Sequence, residues 1–191
     1  MKVQTVWTTN ALDCTKWCKR GSSTSETDAR KGRFDYYTIV LHEGTEGCDA
    51  VFERAGEALL RYEVFPLSRL RYRVCSENGK VTVGTTIVQN LSLGPLVIDS
   101  AVRVLRVIDS VTAEERTIGF TYLTLKGHPE RGIATFRVVQ ERPWAVVRFS
   151  IESWSRPGTW VTVALSPVAR WIQRRLTSDA LKNFKSSVIE N

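Results

Sequence analysis

His128 and Glu130 stand on either side of Pro129 inside the run GFTYLTLKGHPERGIATF, Gly119–Phe136. An imidazole whose ordinary pKa lies near neutrality, set beside a carboxylate, can move protons or hold an anionic head group. The same side chains can close a turn by hydrogen bonding to its own backbone. Covalent catalysis needs a nucleophile, a base and an orienting third group, and the sequence supplies no such set around this pair. The turn-closing role is the expected one, and no catalytic residue is assigned. Arg103, Arg148 and Glu152 fall on predicted strands, where any that points inward needs a partner or a polar ligand group. Tyr36, Tyr37, Tyr122, Trp144, Trp154, Trp160 and Trp171 form an aromatic set; singly each reads as core, and together they can line a cavity. His42 ends a strand with no partner in view and reads as a surface residue.

The four cysteines, Cys14, Cys18, Cys48 and Cys75, have no framework spacing, so reduced thiols in a cytoplasmic protein are expected. Cys14 and Cys18 share one face of a short helix, but two thiols with no histidine nearby fall short of the four ligands of a tetrahedral zinc site. No metal or cofactor is expected. The net charge of +7 raises a polyanion partner. The arginines, however, alternate with apolar residues along predicted strands, the pattern of a solvated sheet face, and a nucleic-acid partner is not expected. No run of about eighteen apolar residues exists, so no membrane span is expected, and the first nine residues lack the apolar core of a secretory signal.

The elements that position these residues follow from periodicity. Phe34–Leu41 is a strand by its aromatic and β-branched content. Val51, Phe52, Ala55, Leu59 and Tyr62 recur at helical spacing, with Asp49 near enough to cap the helix and Phe65-Pro66 to break it. Leu70–Cys75 and Val81–Gln89 read as a hairpin across Asn78-Gly79. Strands follow at Val97–Ile108, Thr117–Leu125, Ile133–Gln140 and Ala145–Ser153, the last pair joined at Arg142-Pro143. From Val161 to Phe184 apolar residues fall three or four apart, a long amphipathic helix that Pro167 restarts, with Ser166 as cap. Its face of Trp171, Ile172 and Leu176 is expected to seal the sheet. Gly21–Asp28 reads as flexible. The order is strand, helix, six strands and a closing helix, in which only that helix is long enough to cover an apolar sheet face.

The Gly127-His128-Pro129-Glu130 core between two strands, with Ser155-Arg156-Pro157 downstream, resembles the signature of an uncharacterised bacterial and plant domain family whose members read close to GFAYGTLPGHPESGEE. That family is grouped with the START-like, or SRPBCC, helix-grip superfamily, which includes birch-pollen-allergen-like proteins. The resemblance spans about Arg33 to Lys185. It implies an α+β helix-grip domain over residues 33–191, a curved antiparallel sheet of about seven strands wrapped around the C-terminal helix, preceded by a variable, partly flexible segment 1–32. Two departures stand out. Members usually carry Tyr-Gly-Thr where this chain has Tyr122-Leu123-Thr124, and Gly-Glu-Glu where it has Gly132-Ile133-Ala134.

The function expected from fold order and aromatic set is the binding of a small hydrophobic or amphipathic molecule between sheet and closing helix. Tyr122 and Trp160 are the expected walls, and Arg103, His128, Glu130 and Arg156 the polar anchors. An enzyme of cyclase or hydrolase type on a hydrophobic substrate is the alternative; the absent glutamates at 133 and 134 count against it. A module that docks on a partner or a membrane surface through Arg170, Arg174, Arg175, Lys182 and Lys185 is a second alternative.

Overall fold

The computed structural model describes residues 12–93, 96–142, 145–158 and 166–189. Two short helices, α1 (Cys14–Cys18) and α2 (Glu26–Ala29), precede β1 (Arg33–Glu43) and α3 (Cys48–Leu60). Six strands follow: β2 (Leu70–Cys75), β3 (Thr86–Leu93), β4 (Leu96–Val111), β5 (Glu115–Thr124), β6 (Glu130–Glu141) and β7 (Val146–Pro157). A long helix, α4 (Ser166–Ile189), comes last. Pro167 lies in its first turn, where a missing N–H costs nothing. The strands form one antiparallel sheet in the order β1-β7-β6-β5-β4-β3-β2, so β2 to β7 meander and β1 closes on the far side.

Period-2 alternation sends Val102, Phe120, Phe136 and Phe149 to one face, here called inner, where they join a single apolar core. Helix α3 lays Val51, Phe52, Ala55 and Leu59 on it at helical spacing. Helix α4 adds Ala180, Phe184 and Val188, each four residues apart. The rings of Phe184 and Phe149 lie 4.2 Å apart, Asn183 Nδ2 donates to the Val64 carbonyl at 3.2 Å, and Arg54 Nε donates to the Val188 carbonyl at 3.2 Å. Each large side chain buried this way contributes roughly 1.5–3 kcal/mol.

The sealing face of α4 is therefore not the expected one. Trp171 is 62% exposed, and Ile172 and Leu176 are only half-buried. The helix docks on α3 and β1 through its second half, so the same apolar periodicity that buries Phe184 leaves Trp171 over open space.

The opposite, outer face is covered at one end by residues 12–32. Trp17 of α1 is buried against Val88, Ala101 and Leu125, and Ala29 of α2 against Leu123, Ile133 and Trp154. The stretch Gly21–Asp28, expected to be flexible, carries a bridge from Ser22 to Leu125 and the start of α2, whose cap is Ser25 accepting from the Asp28 N–H. Cys14 is bonded to Cys75 at the end of β2 with their Cα atoms 5.8 Å apart. This corrects the expectation of four reduced thiols: only Cys18 and Cys48 are free. The pair is 61 residues apart in sequence, so only the crossing of the sheet by this strap brings the sulfurs together.

Two local expectations also change. Cys75 pairs with Thr86, so residues 76–85 form a loop in place of a tight hairpin at Asn78-Gly79. The loop is long because Val81 is 3% exposed and its N–H donates to the Leu60 carbonyl at 2.7 Å, which draws the chain under the end of α3. The N-cap of α3 is Gly47 at φ 73°, with no side-chain capping bond, and Asp49 lies inside the first turn. Residues 1–11, Pro143 and Trp144, and the expected helix start at Val161 lie outside the described residues.

Candidate ligand-binding site

The β5–β6 turn is gripped from both sides. From the strap, Arg20 stacks on the Trp17 ring at 4.3 Å and donates to the Lys126 carbonyl at 2.9 Å. Gly127 beside it has φ 98°, and a Cβ there would meet the Arg20 guanidinium at 2.4 Å; both facts call for glycine. From the end of β7, the Gly158 N–H donates to the Pro129 carbonyl at 2.8 Å. Within the turn, His128 Nδ1 accepts the Glu130 N–H at 3.0 Å. Burial pushes the imidazole down to about 4, outweighing the opposing effect of the Glu130 backbone, so the ring is neutral at pH 7 and serves the hairpin.

Glu130 opens β6 on the inner face, in line with Gly132, Ala134 and Phe136. Burial raises its carboxyl above the usual range; a hydrogen bond with Ser155 acts against the rise and the Asp35 carboxylate adds to it. Asp35 pairs with Arg33 at 3.6 Å. Next to it on β1, the Tyr37 hydroxyl is raised by burial first, with a hydrogen bond to Arg174 of α4 pulling the other way. Inner-face carboxylates, serines and a tyrosine thus gather across neighbouring strands β1, β7 and β6, with Arg174 of α4 reaching Tyr37.

Farther along the same face runs a buried hydrogen-bond chain. Ser100 Oγ donates to Gln89 Oε1 at 3.2 Å, and Gln89 Nε2 donates to Tyr62 Oη at 2.6 Å. Tyr122 lies near enough for the two phenols to interact electrostatically. Tyr62 follows the end of α3 at φ 63°, a left-handed conformation that costs a bulky residue roughly 1–2 kcal/mol. The payoff is position: the ring is 0% exposed and edge-on to Tyr72 at 5.1 Å. Burial drives both phenols up, Tyr62 and Tyr122 alike, so both are protonated donors at any ordinary pH.

Between the first half of α4 and the β2–β3 side lies a cleft of about 230 Å³. Leu91, Trp171, Ile172 and Leu176 give it apolar walls, and Arg69 and Asp179, 3.8 Å apart, sit at its edge. Arg175 lies over the Trp171 ring at 5.9 Å. A second concavity, of about 470 Å³, lies on the outer face. Its arginines are already paired, Arg137 with Glu152 at 3.3 Å and Arg148 with Glu141 at 2.8 Å.

Of the residues expected at a site, Tyr122 and Glu130 share the inner face, with an electrostatic contact between them. His128 adjoins them but spends its Nδ1 on the turn. Arg103 is on the outer face, donating to the Cys18 carbonyl at 2.7 Å, so it anchors the strap. Arg156 is exposed and acts on Asp28 of α2. Trp160 lies outside the described residues. Sequence reasoning missed Gln89 and Ser100 and counted Tyr62 only as a helix-face residue; the polar pair Gln89 and Ser100 on otherwise apolar strands was the available signal. Among the described residues no group of three or more histidines, cysteines and carboxylates could hold a metal ion, and no helix is long and apolar enough to cross a membrane.

A seven-stranded antiparallel sheet curved around a C-terminal helix, with one helix between β1 and β2, defines the helix-grip class. Solved structures agree on that fold. TTHA0849 from Thermus thermophilus superposes with a TM-score of 0.55 at 9% identity, covering 83% of this chain and 98% of its own. The hypothetical protein jhp0584 from Helicobacter pylori gives 0.54 at 10% identity over 95% and 98%, and Ara h 8.0201 gives 0.52 at 10% identity over 83% and 99%. No curated protein matches the sequence. The family model of a domain of unknown function, DUF1990, matches residues 22–183, and the chain belongs to that family.

Proposed function

We propose that the protein binds one small apolar or amphipathic molecule between the inner face of the sheet and the first half of α4. The observation that carries this reading is the half-burial of Tyr122. It sits on β5, a central strand, on the inner face that also carries the core residues packed under α3 and α4, and we read its accessible surface as facing the ligand space. The cleft lined by Leu91, Ile172 and Leu176 supports the same reading, since mostly apolar walls with few polar groups are how such sites are built. Tyr122 is assigned as a wall and Glu130 as a polar contact. His128, Arg103 and Arg156 are given supporting roles in the turn and the strap. Native mass spectrometry of freshly purified protein tests the proposal. A mass excess lost on denaturation is expected; a bare chain that also fails to take up an apolar fluorophore would overturn it.

A second reading, an enzyme working by proton transfer, is favoured by Glu130, a carboxyl with a raised pKa on the inner face. Deuterium exchange into the co-purified molecule, lost in Glu130→Gln while binding persists, is its signature; no exchange with the wild-type protein dismisses it. The setting follows from the thiols. A cytoplasmic location would keep Cys14 and Cys75 reduced, so the redox state of that pair in protein isolated under alkylating conditions reports the compartment.

A further inference from the structure

We infer that the molecule held in the cleft beside α4 is an organic anion, a carboxylate on a small apolar body, and that Arg175 meets its charge. The inference deepens the ligand-binding reading and rests on it. It is argued from what the arginines already do. Arg103 is held by the Cys18 carbonyl, Arg116 by Glu53, Arg137 by Glu152 and Arg148 by Glu141. The two that line the cleft are not tied down in this way. Arg69 faces Asp179 through Nε at 3.8 Å, beyond hydrogen-bond distance, which offsets the one carboxylate of the lining. Arg175 has no carboxylate within ion-pair reach among the described residues, and lies over the Trp171 ring at 5.9 Å. The lining therefore carries one uncompensated positive charge.

The rest of the lining sets the other half of the molecule. Leu91, Ile172 and Leu176 are only half-buried and Trp171 is 62% exposed, so a ligand that covers them removes apolar surface from water. A guanidinium in open solvent pairs weakly with an anion. Beside an apolar wall its planar fork holds a carboxylate by charge-assisted hydrogen bonds while the wall takes the body. The volume of about 230 Å³ lies below the roughly 300–1,000 Å³ of drug-sized sites, so that body is one or two rings or a short chain.

A matched pair of probes tests this: naphthalene-2-carboxylate and naphthalene-2-carboxamide, alike in shape and different in charge. Dissociation constants are measured by calorimetry for the wild-type protein, Arg175→Gln and Arg142→Gln. Both arginines are exposed, so neither change threatens the fold, and Arg142 lies at the β6–β7 turn outside the cleft. The carboxylate should bind the wild type roughly ten-fold more tightly than the amide, by a ratio that shrinks as salt rises. Arg175→Gln should abolish the ratio while leaving amide affinity in place, and Arg142→Gln should preserve it. Equal affinity of the two probes for the wild type, or a ratio that both variants reduce alike, overturns the inference and leaves the ligand-binding reading standing. Failure of both probes to bind overturns both. Binding of phosphatidylglycerol vesicles with no uptake of the carboxylate overturns the inference in favour of a membrane-surface role.

Discussion

Leu123 and Ile133 are cross-strand partners on the outer face of β5 and β6. Together with Ala29 and Trp154 they form a separate apolar cluster beneath α2. The pair thus gives the N-terminal strap an apolar seat on the outer face. Ala134, next along β6, faces the inner side opposite Tyr122.

A carboxylate placed in this cluster should undo the seat. Ile133→Glu places a charge at a position 2% exposed, and is expected to cost about 3 kcal/mol or more at neutral pH, as for an unpaired buried charge. The folded-state pKa of the new carboxyl would be raised, so the destabilisation grows as pH rises above the ordinary carboxylate range and shrinks below it. Urea unfolding at pH 4.5 and pH 7.5 measures both. A loss that does not change with pH would show that the carboxylate finds solvent.

The grip of α4 is tested by comparing its two halves. Phe184→Ala should cost about 3–5 kcal/mol, the range for a large-to-small change in a packed core. Trp171→Ala should cost no more than about 0.5 kcal/mol, as for a surface change, and should weaken probe binding in the cleft. Ile172→Ala should fall between them, because it is only half-buried. Thermal and urea unfolding of the three variants gives the order.

His128 makes stability depend on pH. Its folded value near 4 lies below the ordinary 6.5, so the unfolded chain binds the extra proton first as pH falls. The stabilisation is fully present above pH 6.5 and is lost progressively down to pH 4, by about 2–3 kcal/mol for a shift of this size in a partly accessible ring. Glu130, with a raised value, works in the opposite sense. His128→Asn keeps an acceptor for the Glu130 N–H and removes the titration. The advantage of wild type over this variant should therefore shrink between pH 7 and pH 4.5, and a constant difference would refute the account.

The strap is tested through its sulfurs. Native, unreduced protein should offer one reactive thiol, Cys18, which is exposed, and a second, the buried Cys48, only on unfolding. Reduction should then release the Cys14–Cys75 pair. Breaking a link that closes a loop of this length should cost about 4 kcal/mol on the chain-entropy account. Thiol titration and unfolding with and without reductant check the two expectations together.

Much of the fold is legible in the chain because period and punctuation are local properties. Alternation along Val102–Val104, Phe120–Tyr122 and Phe136–Val138 marks strands, spacing of Val51, Ala55 and Leu59 marks a helix, and Gly127 with Pro129 marks the turn; each depends only on neighbours in sequence. The order of elements, and with it the helix-grip class, follows from these. Alternation also says that a strand has two faces, but it names the covered one only when the other is wet. Here both are covered: along β6 every residue from Gly132 to Phe136 is buried, by the core on one side and the strap on the other. That is why Arg103 could be expected inside and is found under α1.

What only the tertiary structure decided are the encounters between distant segments. Cys14 meets Cys75 because Trp17 and Ala29 pin the strap across the sheet. Tyr62 meets Gln89 and Tyr122 because a left-handed residue turns the end of α3 inward. Trp171 lies open while Phe184, on the same helix, is sealed, because burial is set by where the helix axis leaves the sheet. Helical spacing fixes a side chain's angle around that axis and carries no information about the distance of the axis from its neighbour.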